Sequence, residues 1–88
     1  MPCVHLIIKG KVQGVFFRVT ARKVALENNL TGWVKNTLDG DVEIETCGEQ
    51  FDVDTFINWC KKGPESATVT SLMITKCYSP SFERFEIR

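Results

Sequence analysis

Gly10-Lys11-Val12-Gln13-Gly14-Val15-Phe16-Phe17-Arg18 separates an apolar run, Cys3 to Ile8, from a helical pattern that begins at Phe17. The run reads as a strand buried on both faces near a sheet centre, because Val4, Leu6, Ile7 and Ile8 alternate only loosely. Phe17, Ala21, Val24 and Ala25 recur at helical spacing, giving Phe17 to Asn28 one apolar stripe, with Arg22, Lys23 and Glu27 on its solvated sides. Between strand and helix, glycines at positions 10 and 14 let the backbone turn tightly and aim several N–H groups inward. Such a cradle favours an anion, since the first helical turn has unsatisfied donors and the positive end of the helix dipole. Arg18 stands at its end, where a planar guanidinium can grip two oxygens of one phosphoryl group. Two glycines and an arginine at such a junction are also common in small α/β proteins. On spacing alone, an anion site and a purely structural turn both stay open.

Further along, Asn28-Asn29 ends the first helix, since asparagine tolerates the left-handed cap conformation. Gly32 to Leu38 and Asp41 to Cys47 form strand-like runs around Asp39-Gly40, a signal for a tight hairpin with Val42 and Ile44 inward and Glu43 and Glu45 in water. Asp39 and Asp41 suit turn chemistry better than metal ligation. A second helix is predicted over Phe51 to Lys62: Val53, Phe56, Ile57 and Cys60 make its core stripe, Trp59 borders that stripe as a packing residue, and Gly63-Pro64 stops it. Thr68 to Tyr78 and Phe82 to Arg88 read as strands joined by a turn at Ser79-Pro80-Ser81. The order predicts an α+β fold, a ferredoxin-like βαββαβ sandwich: a mostly antiparallel sheet, two helices on one face and a short C-terminal strand.

The 88 residues suffice for one domain, 1–88, and 43% hydrophobic content supports a core. Eleven basic against eleven acidic residues give no net charge, which argues against a nucleic-acid partner held by long-range attraction. No apolar run is long enough to span a bilayer, and the first ten residues lack a signal-peptide core, so no membrane partner and a cytoplasmic location are expected. The four cysteines, at 3, 47, 60 and 77, form no Cys-x-x-Cys pair, and His5 is the single histidine. Free, half-buried thiols are therefore expected, with no metal, no cofactor and no cysteine nucleophile. His5 reads as a packed, hydrogen-bonded residue.

The stretch from Gly10 to Arg18 resembles the acylphosphatase signature, and Gly32-Trp33-Val34-Lys35-Asn36-Thr37-Leu38-Asp39-Gly40-Asp41-Val42-Glu43 resembles that family's second signature, in the expected order. The resemblance extends over nearly the whole chain, with a small departure at Asn29, near which such chains tend to have glycine. It implies hydrolysis of acyl phosphates to a carboxylate and inorganic phosphate, with inorganic phosphate as product and competitor; Arg18 and the loop supply the positive potential, so no metal is needed, and a monomer is expected. Arg18 and Asn36 would be catalytic, Arg18 holding the phosphoryl group and Asn36 positioning the attacking water. Gln13, Gly14, Val15, Phe16, Phe17 and Thr37 would bind the substrate.

The ferredoxin-like arrangement also hosts RNA-binding and regulatory modules. An RNA-recognition face would stack bases on aromatics of the central strands, whereas the strand around Val42 to Cys47 has no aromatic and two acids. A non-catalytic anion-binding or small-molecule regulatory module is the alternative reading; it would need no Arg18 and Asn36 pair.

Overall fold

The computed structural model describes residues 1–78 and 82–88. The elements run β1 (Cys3–Lys11), α1 (Phe17–Glu27), β2 (Thr31–Asn36), β3 (Val42–Cys47), α2 (Gln50–Cys60), β4 (Thr68–Cys77) and β5 (Phe85–Ile87). The strands form one sheet in the order β4-β1-β3-β2-β5. All neighbours are antiparallel except β2 and β5, which run parallel. This is the predicted α+β ferredoxin-like fold. The Ser79–Ser81 turn lies outside the described residues.

One face of the sheet and the two helices close the core. Val4, Leu6 and Ile8 of β1, Val34 of β2, and Val42 and Ile44 of β3 are buried against Phe17, Ala21 and Ala25 of α1 and Val53, Phe56 and Cys60 of α2. The alternation in β1 is stricter than its sequence suggests. Cys3, His5 and Ile7 are only half-buried, so this central strand has one core face and one open face, and burial on both faces does not hold. On the open face His5 Nε2 lies 2.7 Å from Glu43 Oε2, and Trp33 is flanked by Lys35 and Arg88 at 5.6 and 5.3 Å from its ring centre. His5 is thus the hydrogen-bonded packing residue expected. Arg22 is more than a solvated side chain: its Nε donates to Phe85 O at 3.0 Å and ties α1 to the short last strand.

Two further differences bear on the site. β1 continues to Lys11, so Gly10 belongs to the strand and not to the turn. A bulge between Lys9 and Gly10 brings β4 close, and a Cβ at Gly10 would collide with Thr68 O. The hairpin after Asn36 is also wider than a two-residue turn. Asn36 pairs with Val42, leaving residues 37–41 as the loop, closed by Thr37 N–H to Asp41 O at 2.9 Å.

The cysteines correct the expectation of free thiols. Cys3 faces Cys47 across the β1/β3 pair with Cα atoms 4.1 Å apart, and the two are joined as a disulfide. Their sequence separation of 44 residues carries no cue to the pairing, which only the strand register supplies. Cys3 also faces Cys77 across the β1/β4 pair, so three cysteines share one row of the sheet. Cys60 is buried in α2, where desolvation pushes its thiol well above the ordinary range.

The disulfide closes a 44-residue separation, so its reduction should lower unfolding stability by roughly 2–4 kcal/mol, read as a shift in the denaturant midpoint with and without reductant. Cys60 should stay unmodified by iodoacetamide in the native protein and react once denaturant opens the core.

Candidate active site

Because β1 and β2 both run antiparallel to β3, which lies between them, they are parallel to each other, and their carboxyl ends meet at the same edge of the sheet. The loop from Val12 to Phe16 leaves the first end, and Asn36 is the last residue of the second. Gln13 spans the gap. Its Nε2 donates to Thr37 O and to Asp41 O, each at 2.8 Å, fastening the loop to the hairpin that follows Asn36. Thr37 Oγ1 accepts the Asp41 N–H at 3.1 Å, and Lys9 Nζ reaches Asp41 Oδ2 at 2.7 Å. That hydrogen bond and the carboxylate charge raise the Lys9 pKa.

The turn itself depends on two residues with positive φ, Gly14 at 72° and Phe16 at 61°. Phe16 occupies the cap position of α1, and no side chain caps that end. The first helical N–H bond runs from Thr20 to Phe16 O at 3.1 Å. By position, the N–H groups of Phe17, Arg18 and Val19 have no helical acceptor and remain for a ligand or water. The sequence places no Ser, Thr, Asp or Asn at this cap, so the helix keeps its donors open.

A cavity of about 240 Å³ lies at this edge, lined by Val12, Gly14, Phe16, Phe17, Arg18, Val19 and Asn36. Of the residues predicted from sequence, it brings together Arg18, Asn36, Gly14, Phe16 and Phe17. Gln13, Val15 and Thr37 do not line it. Gln13 and Thr37 fasten the loops, and Val15 turns into the core at 6% exposure. Val12 and Val19 line it without having been predicted. Val19 carried no motif signal, although its place in the first turn of the helix, next to Arg18, could have suggested it.

Among the described residues Arg18 is the charged one of the lining, and among them its Nη1 reaches only Arg88 O, at 3.5 Å. Its donors are largely available. Phe17, between the exposed Phe16 and Arg18, is buried and packs on Trp59 with ring centres 5.3 Å apart, which fixes the backbone from which Arg18 springs. Among the described residues no group of three or more His, Cys, Asp or Glu side chains is placed to hold a metal ion. No helix among them is long and apolar enough to cross a membrane.

A ferredoxin-like sandwich with an arginine, open helix N–H groups and an asparagine around one cavity has the donors that a class of phosphoryl-group-binding domain requires. The comparisons narrow this to one family. The acylphosphatase family model matches residues 4–87. An acylphosphatase of Syntrophus aciditrophicus is 43% identical over 88 residues, covering 99% of this chain and 92% of its own. The structure of an acylphosphatase from Coxiella burnetii superposes with a TM-score of 0.95 at 41% identity, covering 99% of this chain and 92% of its own. That of an acylphosphatase from Bacillus subtilis gives 0.96 at 36% identity, covering 100% and 99%. The chain belongs to the acylphosphatase family, and the activity that goes with this membership is hydrolysis of the carboxyl–phosphate bond of acyl phosphates.

Replacing Gln13 with Ala removes two hydrogen bonds between the loops and leaves every lining side chain in place. It should lower stability by about 1–2 kcal/mol and kcat by roughly tenfold or more, read by denaturation and by steady-state turnover.

Proposed function

We propose that this chain hydrolyses acyl phosphates without a metal, by in-line attack of a water oriented at Asn36 on a phosphoryl group held by Arg18 and the backbone of residues 14–18. The observation that carries the reading is the shared lining of one cavity by Gly14, Arg18 and Asn36, which come from two separate strand ends. A carboxylate leaves readily, so the reaction needs no strong general acid, and a loose phosphoryl-transfer transition state needs little help from a base. What the protein supplies is position and charge. Arg18 pairs with two equatorial oxygens, and the N–H groups at the start of α1 meet the charge that spreads over the phosphoryl group. The Asn36 amide oxygen accepts a hydrogen bond from water and aligns it. An amide is no base at neutral pH, so the water's proton passes to a phosphoryl oxygen as the P–O(acyl) bond breaks and the carboxylate leaves.

Inorganic phosphate, the product, occupies the same anion site in this reading and competes with substrate. In this reading the enzyme acts as a monomer, since no step of the reaction calls on a residue outside those of one chain. We also place the enzyme in the cytoplasm; thiol pools there keep pairs such as Cys3 and Cys47 reduced, so thiol trapping in cells reads the compartment.

The test is release of phosphate from benzoyl phosphate in the presence of a chelator. The unsubstituted chain should turn over, and Arg18→Gln should lose at least about 10²-fold in kcat/KM together with phosphate affinity. Asn36→Ala should lose kcat by a similar factor while inhibition by phosphate changes by less than about twofold. A folded chain that binds phosphate and never turns over would return the site to the anion-binding alternative.

A further inference from the structure

The phosphoryl end accounts for only part of the cavity. A tetrahedral anion takes the space of two or three waters, ~60–90 Å³, against the cavity's volume of about 240 Å³. Besides Arg18, Asn36 and Gly14, the lining is apolar: Val12, Phe16, Phe17 and Val19. Phe16 and Val19 stand three residues apart on the same side of the start of α1, flanking Arg18, and both line the cavity. Phe16 is 78% exposed and Val19 62% exposed, and neither belongs to the core cluster or packs against it. Solvated apolar side chains are common singly, but two at the rim of one cavity form a surface that a ligand can cover. Phe16 is also held in the left-handed region, which a bulky residue occupies only where the surroundings force it, and that conformation carries its ring beside the cavity.

Resting on the reading of this cavity as the phosphoryl site, we infer that Phe16 and Val19 form the acyl subsite and select acyl phosphates with an apolar acyl group, aromatic above all, over acetyl phosphate. With the phosphoryl group fixed at Arg18, the acyl carbon begins one bridging oxygen away and extends across the part of the cavity that these two side chains border. An aromatic acyl ring gains area on both and an edge or offset contact with the Phe16 ring; an acetyl methyl reaches little of either. Among the described residues no charged side chain other than Arg18 lines the cavity, so a second carboxylate or an ammonium on the acyl group finds no partner among them.

The test measures binding of two nonhydrolysable analogues, benzoylphosphonate and acetylphosphonate, by calorimetry, with inorganic phosphate as the reference. The unsubstituted chain should bind benzoylphosphonate roughly five- to tenfold more tightly than acetylphosphonate, the factor expected for covering about 50 Å² of apolar surface. Phe16→Gly, which suits the backbone at this position, and Val19→Ser should each lower that preference severalfold while phosphate affinity changes by less than about twofold. Phe16→Leu should restore most of the preference. Phe51→Ala, which removes a phenylalanine of similar exposure on α2 outside the cavity, should leave it unchanged. Equal weakening of both phosphonates and phosphate in Phe16→Gly and Val19→Ser, or an unchanged preference, would overturn the subsite. Absence of turnover by the unsubstituted chain would overturn the reaction and not the subsite, because the phosphonate affinities are read without turnover.

Discussion

Gln13 Nε2 sits between two carbonyl oxygens, Thr37 O and Asp41 O, at 2.8 Å from each, and the site depends on this joint. The split order of strands makes it necessary. β1 and β2 deliver the Val12–Phe16 loop and Asn36 to one edge of the sheet, but β3 lies between them, so no ladder hydrogen bond links the two carboxyl ends directly. A side chain must cross the start of β3 to hold them in register. A glutamine amide does this with both of its donors and no charge, which leaves Arg18 as the source of positive potential in the cavity.

The second constraint is the open start of α1. A helix end with no side-chain cap forgoes roughly 0.5–2 kcal/mol that a Ser, Thr, Asp or Asn would contribute, and Phe16 adds the cost of a left-handed backbone at a residue with a Cβ. Both costs fall on the residues that line the cavity. A capping oxygen would occupy the same N–H groups that a phosphoryl oxygen must meet, so a well-capped α1 and an anion site exclude one another. The stability is recovered elsewhere, in the core that the two helices close against one face of the sheet.

Much of this was legible in the residues. The i, i+3, i+4, i+7 pattern of Val53, Phe56, Ile57 and Cys60 and the stripe from Phe17 to Ala25 report local geometry, so the helices follow from sequence to within a residue or two at their ends. The two motifs singled out Arg18, at the start of α1, and Asn36, at the end of β2. What stayed hidden depends on pairing across distance. The single open face of β1, the bulge at Gly10, the contact of Arg22 with Phe85 O and the disulfide each need the strand register or the packing of α1 on β5, which no local pattern encodes. Gln13 is the instructive case. Its motif position suggested substrate contact, and the same amide, turned by the chain away from the cavity, serves as the fastener.

The precision of Arg18 comes from its neighbour more than from its own contacts. A guanidinium whose one hydrogen bond is 3.5 Å long is held weakly as a side chain. Its Cα, however, follows Phe17, whose ring is clamped on Trp59, which itself stacks on Phe56 at 6.0 Å, while Phe56 meets Phe85 at 6.1 Å. The turn after α2 closes over the same ring, for a Cβ at Gly63 would lie 2.6 Å from Phe17 Cε2. Three consecutive residues thus divide the work: Phe16 faces solvent at the cavity rim, Phe17 locks into the aromatic core, and Arg18 lines the cavity. A backbone anchored in this way leaves the arginine free to close on a phosphoryl group with little reorganisation of the loop that carries it.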